Sequence, residues 1–163
     1  MRKFLLILFA ILSASATTNA AVAADTVYVM RHLQKADGTD PPLSQLGASN
    51  AQALSERLGE KGIKAIFATA TKRAMQTGQA LAGKLKISIT NYDPRDPAAL
   101  IAAVSQVNGS VLVVGHSNTV PDLVTAFGGT RPEALTEQDY GTIFIVKPGS
   151  SDVQRIELSE AAK

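Results

Sequence analysis

The sequence predicts an α/β fold: a three-layer sandwich with a mostly parallel central sheet, helices on both faces and a C-terminal hairpin that makes the sheet mixed. Three observations predict it. Between residues 26 and 127 short apolar runs alternate with longer helical patterns, the mark of repeated strand, helix, strand units. The last two apolar runs instead flank Pro148-Gly149-Ser150-Ser151-Asp152, a turn segment that joins antiparallel strands. The chain's two histidines, His32 and His116, each end a Val-rich run, which is how parallel strands present side chains at their carboxyl edge. Ligands bind at that edge in open α/β sheets.

The elements follow in order. Thr26 to Arg31 reads as the first strand. Ser44 to Lys61, with apolar residues at Leu46, Ala53, Leu54 and Leu58, reads as a helix closed by Gly62. Ile63 to Thr69 is the second strand and Lys72 to Lys84 the second helix. Ile87 to Asn91 is a short strand, and Pro97 to Val107 a helix whose proline sits in the first turn, where its missing N–H costs nothing. Ser110 to Gly115 is a buried strand, followed by a helix near Val120 to Phe127 that also begins with a proline. Gly141 to Lys147 and Val153 to Leu158 form the hairpin. The two longer loops, Leu33 to Leu43 and Gly128 to Tyr140, are expected to border the site, because functional residues concentrate on loops.

Residues 1–23 are expected to stand outside this fold. Arg2 and Lys3 form a basic start, Phe4 to Leu12 is unbroken apolar sequence, and Ala21-Val22-Ala23 fits a small-x-small cleavage site. This is the pattern of a secretory signal peptide cut after Ala23, with Ala20 and Ala24 as neighbouring choices and a permanent N-terminal anchor as the alternative. The apolar stretch is shorter than the about 20 residues a membrane helix needs, so no stable span is expected after cleavage. A single domain over residues 24–163 and a periplasmic or secreted location follow. With no cysteine in the chain, stability is expected from packing alone, without disulfides.

Charge narrows the function classes. Removing the leader lowers Lys plus Arg from 16 to 14 against 14 Asp plus Glu, so the remaining chain is formally neutral. Neutrality gives no ground for nucleic-acid binding, and any positive field must be local. Arg31 precedes His32, and Arg73 lies just after the second predicted strand, at the start of a helix whose free N–H groups favour an anion. Two histidines beside two arginines suggest phosphate chemistry. A neutral imidazole is a nucleophile toward phosphorus, a neighbouring guanidinium holds its pKa down, and the planar guanidinium fork grips two phosphate oxygens. Thr69 and Thr71 add hydroxyls; Gly115 lets backbone or ligand come close to His116; Ser117, Asn118 and Thr119 supply capping groups before Pro121. Taken singly, Arg31, Arg73 and His116 also read as ordinary surface or buried polar residues. No His-x-x-x-His pair or Cys/His/Glu cluster exists, and the arginines would repel a cation, so neither a metal nor another cofactor is expected.

In the order Arg31-His32, Arg73, His116, the chain resembles the histidine phosphatase superfamily, the phosphoglycerate-mutase-like clan, as a compact exported bacterial-type member. Leu43-Ser44-x-x-Gly47, Arg73-Ala74-x-Gln76-Thr77 and Val113-Val114-Gly115-His116-Ser117 resemble the family's motifs. The resemblance implies that His32 becomes phosphorylated, while Arg31, Arg73 and His116 bind the phosphoryl oxygens; Ser117 is a further candidate for binding the substrate. The sequence departs from the family pattern after the first histidine, where the usual glycine is Leu33 and the next, often acidic, position is Gln34. Relatives also place an acid after the third strand, so Asp96 and Asp93 are the expected proton donors, Asp96 first because it precedes the proline-started helix. Asp before Pro is equally turn and cap chemistry. Asp37, Asp40 and Asp122 are the remaining carboxylates near the expected site.

The expected activity is a metal-independent phosphomonoesterase acting through phosphohistidine on small or sugar-linked phosphates. A mutase-type phosphotransferase shares the pocket, but its substrates are intracellular. A phosphohistidine-protein phosphatase is similar in size, although its partners are cytoplasmic too. A phosphate- or phosphoglycan-binding module without turnover is the reading from another class. Oligomeric state is not legible.

Overall fold

The computed structural model describes residues 24–158; the leader expected over residues 1–23 lies outside the described residues. Six strands form one sheet in the order β3-β2-β4-β1-β5-β6. They are β1 (Val27–Arg31), β2 (Ile63–Ala68), β3 (Ile89–Asn91), β4 (Ser110–Gly115), β5 (Thr142–Val146) and β6 (Val153–Glu157). The first four are mutually parallel, β5 runs antiparallel to β1, and β6 pairs antiparallel with β5. The mixed sheet with its terminal hairpin is the expected one.

Helices cover both faces. On one side α1 (Gln45–Leu58) and α2 (Lys72–Leu85) pack through Leu54, Leu58 and Leu81 onto Tyr28, Met30, Ile66, Leu112 and Val114. On the other side α3 (Pro97–Ser105) and α4 (Val120–Ala126) pack through Leu100, Val104, Leu123 and Val124 onto Val27, Val29, Phe67, Val111 and Val113. Alternate residues of β1 and β4 thus serve opposite layers, which explains why both strands are apolar at consecutive positions. Each such side chain removed from water stabilises the sandwich by roughly 1.5–3 kcal/mol before chain entropy is counted.

Several boundaries differ from expectation; α3, for one, ends at Ser105 rather than Val107. Ser44 is the N-cap of α1, its hydroxyl accepting from Gly47 N–H at 3.1 Å, and the helix ends at Leu58 rather than Lys61. Gly62 closes the turn beyond the helix, at φ +69°, where a left-handed backbone favours glycine. The third strand starts at Ile89, because Lys86 caps α2 in a left-handed conformation and Ile87 N–H bonds back to Ala82. Among the described residues no helix is long and apolar enough to cross a membrane.

Candidate active site

Strand register brings the two histidines together. Arg31 pairs with Gly115 across β1 and β4, and the next residue, His32, donates its backbone N–H to the Gly115 carbonyl at 3.0 Å. The imidazoles of His32 and His116 therefore emerge from adjacent strand ends, with ring centroids 5.3 Å apart and planes at 67°. A Cβ on Gly115 would stand 2.8 Å from Thr119 Oγ1 and 3.2 Å from the Tyr92 hydroxyl, so close approach at this corner requires glycine. On the other flank of β4, β2 ends at Ala68, which brings Thr69 and the first turn of α2, with Arg73, to the same edge.

His32 has a defined tautomer. Its Nδ1 lies 2.8 Å from the Leu33 carbonyl, which can only accept, so Nδ1 carries the proton. Nε2 consequently holds a lone pair, and it accepts from Arg73 Nε–H at 3.0 Å. Burial, and then the charges of Arg73 and Arg31 and neighbouring His116, outweigh the Leu33 hydrogen bond and lower the His32 pKa to about 4. The ring is neutral at ordinary pH, with its lone pair on the outer nitrogen.

His116 is also held below its ordinary pKa, first by burial and then by Arg73 and Arg31. Its Nε2 lies 2.9 Å from the Thr69 hydroxyl, which is itself 3.3 Å from that of Thr71. A cavity of about 740 Å³ opens here, lined in part by Thr69, Arg73, Tyr92, Asp93 and His116.

Arg31 is 3% exposed, and the loop between Gly128 and Tyr140 engages it more fully than the sequence suggested. Nη1 donates to the carbonyls of Thr136 (2.7 Å) and Asp139 (3.3 Å), while Nη2 donates to Glu137 Oε2 (2.9 Å) and the Tyr140 hydroxyl (3.2 Å). The guanidinium carbon also stacks 4.1 Å from the centre of the Tyr140 ring. Four of the five N–H groups of a guanidinium are thereby taken up. Nε is buried and has no hydrogen-bond partner among the described residues. The fork expected to grip two phosphate oxygens is turned to the loop, because that loop supplies four acceptors to a guanidinium shielded from water. Sequence reading identified the loop but neither Glu137 nor Tyr140, and no local pattern could have done so: they meet Arg31 across 106 and 109 residues.

Glu137 also reaches Ser117, whose hydroxyl donates to Oε1 at 3.1 Å. One carboxylate therefore joins the residue before the first histidine to the residue after the second. Arg31, followed by the Ser117 hydrogen bond, lowers the Glu137 pKa.

The two expected acids lie differently. Asp96 is the N-cap of α3, accepting from Ala99 N–H at 3.1 Å, and lines a separate depression with Phe67 and Leu100. Asp93 lines both that depression and the cavity holding Arg73 and His116, but its carboxylate is paired with Arg95 at 2.8 and 3.0 Å, and Arg95 holds its pKa down at about 2. Of the two, Asp93 alone lines the cavity with His116, and both carboxylates are engaged, Asp93 by Arg95 and Asp96 as a helix cap. Asp40 accepts from Lys72 N–H at the start of α2 and lies 3.8 Å from Arg73 Nη1, and Asp122 pairs with Arg131.

The departures after His32 have structural explanations. Leu33 is fully buried in the α1/α2 layer, and its N–H donates to Thr77 Oγ1 at 2.9 Å. The Gln34 side chain accepts from Asn50 of α1, and its carbonyl accepts from Ser44 N–H. A Cβ on Gly47 would stand 2.1 Å from that same carbonyl oxygen, which accounts for glycine in the Leu43-Ser44-x-x-Gly47 segment. Among the described residues no group of three or more His, Cys, Asp or Glu side chains is placed to hold a metal ion.

The family described as Histidine phosphatase superfamily (branch 1) matches residues 27–96. The fold is similar to that of the protein histidine phosphatase SixA complexed with tungstate, at 24% identity and a TM-score of 0.65, over 83% of this chain and 99% of that one. A putative phosphohistidine phosphatase SixA from Agrobacterium tumefaciens is similar at 22% identity and TM-score 0.59, over 82% of this chain and 96% of the other. A phosphoglycerate mutase from Bacillus anthracis str. Sterne is similar at 16% identity and TM-score 0.65, over 88% and 97%. At these identities the structural likeness bears on the fold. No curated protein sequence matches the chain.

Proposed function

From the match of the histidine phosphatase superfamily model to residues 27–96 and the geometry at the strand ends, we propose that the chain is a member of that superfamily and a metal-independent phosphomonoesterase acting on small or sugar-linked phosphates through a phosphohistidine on His32. The observation that carries this reading is the fixed tautomer of His32, whose unprotonated Nε2 meets the guanidinium of Arg73.

In the proposed reaction Nε2 of His32 attacks phosphorus in line. The bond to the leaving oxygen breaks with its electron pair, and charge on the equatorial oxygens is stabilised by Arg73, His116, Ser117 and the free Nε–H of Arg31. Arg73 exchanges its bond to His32 for one to a phosphoryl oxygen as the lone pair is committed to phosphorus. The departed oxygen takes a proton from solvent; water then attacks the phosphohistidine, giving up a proton to solvent, and the P–N bond breaks with its electrons returning to Nε2.

Proton transfer to the leaving group supports a second reading. Asp96 is held as a cap and Asp93 by Arg95, so neither expected donor is placed as a ready acid. A site with little acid assistance suits leaving groups that need little, as in phosphoramidates, and the SixA proteins of similar fold are described as histidine and phosphohistidine phosphatases. We assign the protein to the periplasm or exterior on the leader at residues 1–23; N-terminal sequencing of exported protein should begin at Ala24, and an uncut start would overturn that assignment.

Hydrolysis of p-nitrophenyl phosphate, glycerol phosphate and phosphoimidazole in EDTA tests the function. Turnover of the first two supports the monoesterase; turnover of phosphoimidazole alone supports the second reading. Inactivity on all three, or activity abolished by EDTA, contradicts both.

A further inference from the structure

The Glu137 carboxylate spans two groups assigned above to the phosphoryl group. Oε2 accepts from Arg31 Nη2 at 2.9 Å and Oε1 from Ser117 Oγ at 3.1 Å. Two acceptor oxygens of one anion thus take two donors that come from different strand ends, which is the arrangement a tetrahedral oxyanion needs. The side chain is 69% exposed, on a loop anchored by the backbone carbonyls of Thr136 and Asp139 and by Tyr140, so the carboxylate can leave without the loop detaching from Arg31.

We propose that Glu137 is an internal competitor of the phosphoryl group: its carboxylate occupies Arg31 Nη2 and Ser117 Oγ, and an incoming oxyanion displaces it to take both donors. The inference rests on the phosphoryl subsite assigned above and adds to it Arg31 Nη2, a donor otherwise taken up by the loop, and a carboxylate that weakens every oxyanion by the same factor. Displacement costs the same whichever anion replaces Glu137, so removing the carboxylate tightens substrate and inhibitor alike. A positioning role, in which Glu137 holds Arg31 in its working orientation, has the opposite sign.

The test is tungstate binding by calorimetry to wild type, Glu137→Gln and Glu137→Ala, each checked for an unchanged thermal transition. The Glu137 end of the ion pair is 69% exposed, so its loss is a modest one and roughly three- to tenfold tighter binding is expected in both variants. KM for p-nitrophenyl phosphate should fall by the same factor, with little change in kcat. Unchanged or weaker tungstate binding in both variants overturns the proposal, as does failure of all three proteins to bind tungstate. Because binding needs no turnover, tighter binding without hydrolysis would keep the competitor role and remove the phosphomonoesterase reading.

Discussion

Arg73 and His32 share one hydrogen bond, in which the guanidinium Nε–H donates to the imidazole Nε2 at 3.0 Å. The bond joins the first turn of α2 to the end of β1 and points the lone pair of His32 at a cation. An imidazole so placed cannot protonate easily, since a proton on Nε2 would face both a donor and a positive charge. Nε2 is thereby kept free of a proton and beside a guanidinium.

Arg73→Ala should lower kcat/KM by about 10²–10³-fold, the usual loss when a preorganised donor to a transition-state oxyanion is removed. It should also move the acid limb of the kcat/KM profile. Attack requires neutral His32, so activity falls as pH drops through its pKa of about 4. Arg73 is one of the groups that lower that pKa, and removing it raises the value, so the limb shifts to higher pH. A profile that keeps its position, or moves to lower pH, would contradict the assigned contact.

Asp96→Ala should destabilise the fold by about 1 kcal/mol, the cost of losing an N-cap, with turnover preserved. Urea unfolding paired with rates on p-nitrophenyl and glycerol phosphate measures both. Selective loss on glycerol phosphate, with stability unchanged, would return the aspartate to the role of proton donor.

The histidine-bearing edge was legible in the sequence because its parts are local. Val-rich runs ending in His32 and His116 needed only the rule that parallel strands present side chains at their carboxyl ends, and the β1/β4 register then set the rings side by side. The helices were legible from apolar spacing and from proline or Ser44 at their starts, with errors confined to ends such as Leu58, where the turn to Gly62 continues past the last helical residue. Arg31 was legible as a residue but not as a contact. Its partners lie in a loop without periodicity, and nothing in Thr136-Glu137-Gln138-Asp139-Tyr140 indicates that three carbonyl or carboxylate groups and a phenol converge on a guanidinium over a hundred residues earlier. The two aspartates were ambiguous for a different reason: Asp before Pro serves equally as cap and as acid, and only the position of Ala99 N–H and of the Arg95 side chain distinguishes the uses.

Covalent catalysis requires that His32 itself carry the phosphoryl group. Rapid-quench labelling with an ester carrying radioactive phosphorus, stopped in alkaline denaturant, compares wild type with His32→Ala. Acid-labile, base-stable label is expected on wild type and none on the variant, with turnover lost alongside it. Equal label on both proteins, or full hydrolysis by His32→Ala, would contradict it.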